Sequence, residues 1–549
     1  MKHRSTLTSA LLAGLCTGSA AAAPLIGLNL TAVNYFTEET VFTDLSEHFK
    51  PLHAQKRGAD FRVSDPGGVV FDASGHPSFI AADHVATTIW DRPSGSVGGL
   101  HEVRWDGSGS LEWNRVGSAS TSGSLRVNLD QLPGNRQRQL IDIRSTDPGN
   151  PLRNLRVVPV ATGGSAPAGT FQPAFLDRWS QFKSFRYMDW ADTNNSDIST
   201  WNQRAKPTDF TQAGRGVSLE LQIEHANTTG TDPWFNLPHL ADDAYFREAA
   251  TLIRDRLDPG LTARIEYSNE VWNANFEQSD YATEQGRAEN VPGRRDNLAR
   301  LQWYSNRSVE MFDVFEDVFT DGGADPDGMD RLVRVMGAQA ANPWVGRQVL
   351  DHKDAFRKVD ALAIAPYFGD AVPAGPEAEA WKSYTLTERV AQVEAELQEA
   401  FGHMDAYAEL LGLDAEGSRP YGDVELFAYE GGQHFLGRPD THRDDELTAV
   451  FAELNRMDEM ENFYLRYLEH WEEVGGSDFM LFSSVSDFGR FGHWGLLETE
   501  DQLLADAPKL RGVLRYLESR AVVPEPASAL ALLAAGPLLL RRRRPAPAR

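Results

Sequence analysis

The chain has 549 residues and carries 79 Asp and Glu against 53 Lys and Arg, a formal charge of −26. So acidic a surface argues against nucleic acid or anionic membranes as partners and suits neutral glycans better. The length fits two to four average domains, or one large barrel with an embedded smaller unit.

Met1-Lys2-His3-Arg4 and the apolar, Ala-rich run to Ala23 have the charged start, short hydrophobic stretch and small-residue end of a secretory signal peptide. Residues 1–23 are therefore expected to be removed on export. Cys16, the only cysteine, lies inside that leader. Disulfides, thiolate metal sites and cysteine nucleophiles are thus excluded from the mature protein.

Leu25 to Leu30 is a first apolar strand. From about 61 to 160 the sequence reads as short alternating strands broken by turn signals, among them His101 to Trp105 and Ser124 to Leu129, which predicts a small antiparallel β-rich insertion or accessory unit. After the Gly-, Ala-, Pro- and Ser-rich stretch from Ala161 to Thr170, strands alternate with amphipathic helices. The expected strands are Phe185 to Trp190, Val217 to Ile223, a strand that runs up to Glu270, Leu332 to Met336, Val359 to Ala365, Val424 to Tyr429 and Phe479 to Ser483. Helices are expected at Asp242 to Leu257, Leu301 to Phe319, Leu386 to Phe401 and Met460 to Val474.

Eight strands separated by helices imply an α/β protein with a (β/α)8 TIM barrel over residues 24–520 and a functional site at the C-terminal ends of the strands. On this count Glu270 ends strand four and Glu430 ends strand seven. Two carboxylates facing each other across a glycosidic bond are what a retaining glycosidase needs, one to protonate the leaving oxygen and one to attack the anomeric carbon.

Asn269-Glu270 at the end of strand four and Glu430 at the end of strand seven resemble the arrangement of clan A glycoside hydrolases. The resemblance implies that Glu270 is the acid/base, Glu430 the nucleophile, and Asn269 the group that binds the sugar 2-hydroxyl. It further implies that Arg186 hydrogen-bonds the nucleophile, Tyr367 orients it, and Trp494 forms an aromatic platform beneath the reacting sugar. Trp272, with Trp190 and Trp234, lies near strand ends where subsites would be lined. Ala365 stands where several clan members carry a histidine, and on strand three only His225 and His239 are near.

Structural alternatives stay open at this stage. Glu270 could cap a helix starting at Val271, and Glu430 could be a solvated loop acid. Arg186 could be a structural ion pair, and the aromatic residues could be core packing. Gly431-Gly432 is read as giving the backbone room to bring Glu430 close to its substrate. His225, His239, His434 and His493 have no metal-ligand spacing, so no metal and no cofactor are expected. No Gly-x-Ser-x-Gly elbow supports a serine hydrolase, and no Gly-rich phosphate loop is present.

Val523-Pro524-Glu525-Pro526, the apolar run Ala527 to Leu540 and Arg541 to Arg544 resemble the PEP-CTERM sorting signal of Gram-negative bacteria. That resemblance implies an exported protein, transiently anchored through residues 521–549, cut by a sorting protease at the envelope, and at work on polysaccharide in the envelope or extracellular matrix. The function expected is a retaining glycoside hydrolase. The alternatives are an inactive surface glycan-binding protein on the same fold and a matrix protein that acts through its β-rich unit.

Overall fold

The computed structural model describes residues 24–520 except 96, 115, 121–123, 133–137, 161–168, 290–295, 370–375, 414–418, 438–440 and 442. The leader, 1–23, and the C-terminal segment, 521–549, lie outside the described residues.

Eight strands, β1 (Ile26–Asn29), β2 (Ser184–Arg186), β3 (Asp232–Leu237), β4 (Ala263–Tyr267), β5 (Leu332–Gly337), β6 (Ala361–Ile364), β7 (Glu425–Ala428) and β8 (Phe479–Phe482), close into a barrel in chain order. Every neighbouring pair is parallel, including β8 with β1. Alternation along each strand sends one set of side chains inward and the other toward the helices. In β6 the inward residues are Ala361 and Ala363, whereas Leu362 and Ile364 join the outer core. Trp234, Val335, Phe427, Tyr429 and Met480 fill the rest of the apolar barrel interior.

Between β1 and β2 the chain builds antiparallel sheets. A five-stranded sheet runs in the order His53–Lys56, His84–Asp91, Arg138–Thr146, Gly109–Trp113 and Gly117–Ser120. A three-stranded sheet pairs Arg153–Pro159, Leu100–Asp106 and Ser124–Asn128. Their shared core, with Trp90, Trp105, Trp113, Ile141, Ile143 and Val157, is separate from the barrel's. The antiparallel pairing starts at His53, ahead of the alternation read from residue 61.

Strand three was misplaced by the sequence reading. Val217 to Ile223 alternates apolar and polar residues, but Leu219–Thr229 is a helix, with Leu219, Gln222, Ile223 and Ala226 buried along one side. Seven alternating residues argue for a strand; what overrides them is that burial continues at helical spacing through Ala226. The helix stops at Gly230, in the left-handed region at φ 64°. The true β3 follows and carries Pro233, which pairs in register with Phe185 and weakens the strand signal because proline has no N–H. Strand two is also shorter than read. Its ladder ends at Arg186, and the chain then turns across the barrel mouth, placing Met188 and Asp189 there.

Candidate active site

A cavity of about 580 Å³ opens at the C-terminal end of the barrel, lined among others by Asp189, Asn269, Glu270, Tyr367, Glu430 and Trp494. Trp272 lines it as well. The remaining expected residue, Arg186, lies beneath it and is fully buried.

Arg186 ends β2 and points into the barrel, where its five N–H donors meet five acceptor contacts. Nη1 donates to Glu430 Oε1 at 2.8 Å and to Asn29 Oδ1 at 3.1 Å. Nη2 donates to Glu266 Oε2 and to Asn269 Oδ1, both at 2.9 Å, and Nε reaches the same Glu266 oxygen at 3.2 Å. The guanidinium lies between the rings of Trp234 and Tyr429, 5.5 and 5.1 Å from their centroids. Two carboxylates therefore share one cation, and both are held in place by it.

Glu430 is 6% exposed and is not a solvated loop acid. Beyond Arg186, its Oε2 accepts from the Tyr367 hydroxyl at 2.9 Å. Burial pushes its carboxyl up from the ordinary range, and Arg186 and Tyr367 oppose that push.

Glu270 is set differently. Its Oε1 accepts from the Tyr429 hydroxyl and its Oε2 from Asn273 Nδ2, each at 2.8 Å, and among the described residues no cation is in contact with it. Burial first, and the charge of Glu430 second, push its pKa up to about 7. Of the two glutamates, Glu430 is the one in contact with the arginine, and Glu270 is the one whose carboxyl is raised without that contact. No helix begins at Val271; the next starts at Glu277, so helix capping does not explain Glu270. Ser268 and Glu270 have φ of 60° and 42°. Left-handed backbone costs a non-glycine residue roughly 1–2 kcal/mol. Such strain gathers where a side chain must be aimed.

Asn269 is clamped between Arg186 and Asn194, to whose Oδ1 it donates at 3.0 Å, leaving its second amide hydrogen for the cavity. Trp494 stands beside Phe482 and His434, ring centroids 5.8 and 5.7 Å away. Its six-membered ring lies over Gly492, where a Cβ would come within 2.3 Å of it, so glycine is required for the ring to sit there.

Several other residues turn out differently. Gly431 and Gly432 serve the packing behind the strand end: a Cβ on Gly431 would strike the Phe479 ring at 2.4 Å, and one on Gly432 the Tyr464 hydroxyl at 2.9 Å. They let the strand end pack against the outer helix Glu459–Glu473, which carries Tyr464 and Tyr467. Trp190 is outer core, stacked on Phe171 and Phe175. Trp234 is barrel interior, donating from Nε1 to Glu266 at 3.0 Å. His225 is buried among aromatic rings, its Nδ1 2.8 Å from the Tyr187 hydroxyl, and burial lowers its pKa to about 3.

Sequence reasoning missed Glu266, Asn29, Asn236, Tyr429 and Asp189. Arg264, Glu266 and Ser268 alternate with Ile265 and Tyr267 in a buried strand, and that polar set was the available sign of a charged barrel interior. Asp189 lies three residues past the end of β2, inside the span Phe185 to Trp190 expected to be strand. It lines the cavity, and burial and the charge of Glu430 raise its pKa to about 7.

A raised carboxyl pKa makes stability fall with pH. Between the ordinary value of 4.5 and about 7, folded Glu270 keeps a proton that the unfolded chain has released. The contribution is complete below the lower value and lost as pH rises through the upper one. Glu270→Gln is therefore expected to stabilise the protein at pH 8 by on the order of 1–3 kcal/mol relative to its effect at pH 5. Melting curves at both pH values check this; equal shifts would show that Glu270 titrates normally.

No protein-family model matches the sequence, and no curated protein sequence matches it. Solved structures similar to the chain include a Bacteroides ovatus GH5 xyloglucanase in complex with a XXXG heptasaccharide, 10% identical over 79% of this chain and 96% of that one, TM-score 0.32. A GH5-4 broad specificity endoglucanase from Clostridium acetobutylicum is 8% identical over 64% and 91%, TM-score 0.31. A GH5-4 broad specificity endoglucanase from Bacteroides salanitronis is 13% identical over 66% and 90%, TM-score 0.31. The chemistry open to this chain is read from its own carboxylates.

Proposed function

We propose that the protein is an exported retaining glycoside hydrolase that cleaves a polysaccharide by double displacement. The observation that carries this reading is the pair of carboxylates in one cavity with different partners, Glu430 on Arg186 and Tyr367, Glu270 on Tyr429 and Asn273. In the first step a Glu430 oxygen bonds to the anomeric carbon as the glycosidic C–O bond breaks, and Glu270 gives its proton to the leaving oxygen. In the second, Glu270 takes a proton from water as the water oxygen bonds to the anomeric carbon and Glu430 leaves. The free amide hydrogen of Asn269 is available to the sugar's hydroxyls, and Trp494 offers a ring face to its C–H face.

The test is labelling with 2-deoxy-2-fluoroglycosyl fluorides of glucose, xylose, mannose and galactose, followed by peptide mapping of protein isolated from the envelope of a bacterium that exports it. Label is expected on Glu430, in a chain that begins after Ala23 and lacks the segment beyond residue 520. Label on another residue overturns the assignment of roles. Glycan binding without label or release of reducing ends favours an inactive binding protein, and an uncut N-terminus overturns export.

A further inference from the structure

A second cavity, of about 490 Å³, lies beside the first and shares Trp494 with it. Its walls are the loop after β1 and the loop after β8, with Asp91 of the antiparallel unit at one edge. Two large apolar side chains stand open on it, Phe36 at 57% and Phe491 at 71% exposure. Exposed aromatic faces gathered on one concave surface mark a binding site more often than chance.

Both loops are held in shape. Thr37 donates from its hydroxyl to Ala32 O at 2.7 Å and accepts from Asn34 N, and Asn34 Oδ1 accepts from Phe36 N at 3.0 Å. The Asp91 backbone N–H donates to Tyr35 O at 2.7 Å, which ties the loop to the antiparallel unit. In the second loop Gly489 and Gly492 exchange backbone hydrogen bonds at 3.1 and 2.9 Å, presenting Phe491 at the tip, with the Arg490 guanidinium over its ring at 4.7 Å. Two of the cavity's acids are already engaged. Asp91 takes a two-pronged ion pair from Arg138 at 2.8 and 2.6 Å, and Glu38 accepts from Ser94 N at 3.2 Å. Beside these the cavity is lined by aromatic surface, by the polar side chains of Thr31, Asn34 and Ser486, and by one acid and one base of opposite charge, Asp487 and Arg490. That combination suits a neutral pyranose chain, whose C–H faces cover rings while its hydroxyls find polar partners.

We propose that this second cavity is a set of distal sugar subsites, so that a neutral polysaccharide seated on Trp494 continues across Phe491 and Phe36 and is selected by chain length. The occupant follows from continuity: Trp494 is a wall of both cavities, so a chain that leaves the catalytic cavity past that ring enters the second one. The inference rests on the glycosidase reading of the first cavity.

The test uses Glu430→Gln protein, which holds substrate without turning it over, and isothermal titration with trisaccharides and hexasaccharides of the cello, xylo, manno, chito and β-1,3-gluco series. For any series that binds, the hexasaccharide is expected to bind at least roughly tenfold more tightly than the trisaccharide. Adding Phe36→Ala and Phe491→Ala is expected to bring that ratio down to below about threefold without lowering the melting temperature, since both side chains are exposed. A trisaccharide that binds with no gain for the hexasaccharide, or a gain that survives loss of both rings, overturns the distal subsites and leaves the first cavity's reading standing. Absence of binding by every sugar in the panel overturns both.

Discussion

Glu430→Gln is expected to lower kcat by at least ~10⁴-fold while leaving the protein folded, because removing the attacking group of a covalent mechanism removes the step itself. Folding should survive because Gln is nearly isosteric, can accept from Arg186 with its one oxygen while its amide N–H donates to the Tyr367 hydroxyl, and leaves the arginine's charge paired with Glu266 at 2.9 Å. The same change removes the second-largest cause of the raised Glu270 pKa, so that carboxyl should titrate below its value of about 7 while desolvation still holds it above the ordinary range. Activity assays, melting curves and NMR titration of the Glu270 carboxyl read the three effects separately. A variant with more than a tenth of wild-type kcat would remove Glu430 from the chemistry. An unmoved Glu270 would show that the two carboxyls are not coupled.

Arg186→Met carries the largest expected effect on stability, a loss of roughly 3–5 kcal/mol, because it strips from two buried carboxylates the guanidinium they share. Met keeps much of the packing between Trp234 and Tyr429, so the loss reports charge rather than cavity. Glu266→Gln in the Arg186→Met background should recover part of it, since one stranded charge is then gone. Melting of the two variants side by side decides the matter. A double variant no more stable than the single one would mean that Arg186 acts through shape and not through charge.

The barrel was readable because most of its strands are buried on both faces and so appear as short apolar runs, with β2 and β4 exceptions that carry Arg186, Arg264 and Glu266. β4 and β7 were counted as the fourth and seventh strands even though strand three was placed on a helix, because the misread segment and the true β3 lie in the same interval between β2 and β4. The misreading still had a consequence. Asn236 on β3 donates to Glu266 Oε2 at 2.7 Å, and it went unseen. Tyr429 was read only as the end of a strand, yet its hydroxyl holds Glu270, a residue 159 positions earlier. Local sequence cannot express a contact of that kind.

By itself the sequence determined the kind of strand, their number, and the presence of acids at the ends of two of them, because burial and strand termination act over a few residues at a time. Only the tertiary structure decided how the charge is divided between those acids. Arg186 sits against Glu430 and Glu266 and not against Glu270, and that asymmetry depends on barrel closure bringing β2, β4 and β7 to one point. Electrostatic interaction depends on distance in space and on the surrounding dielectric, neither of which is a property of the order of residues.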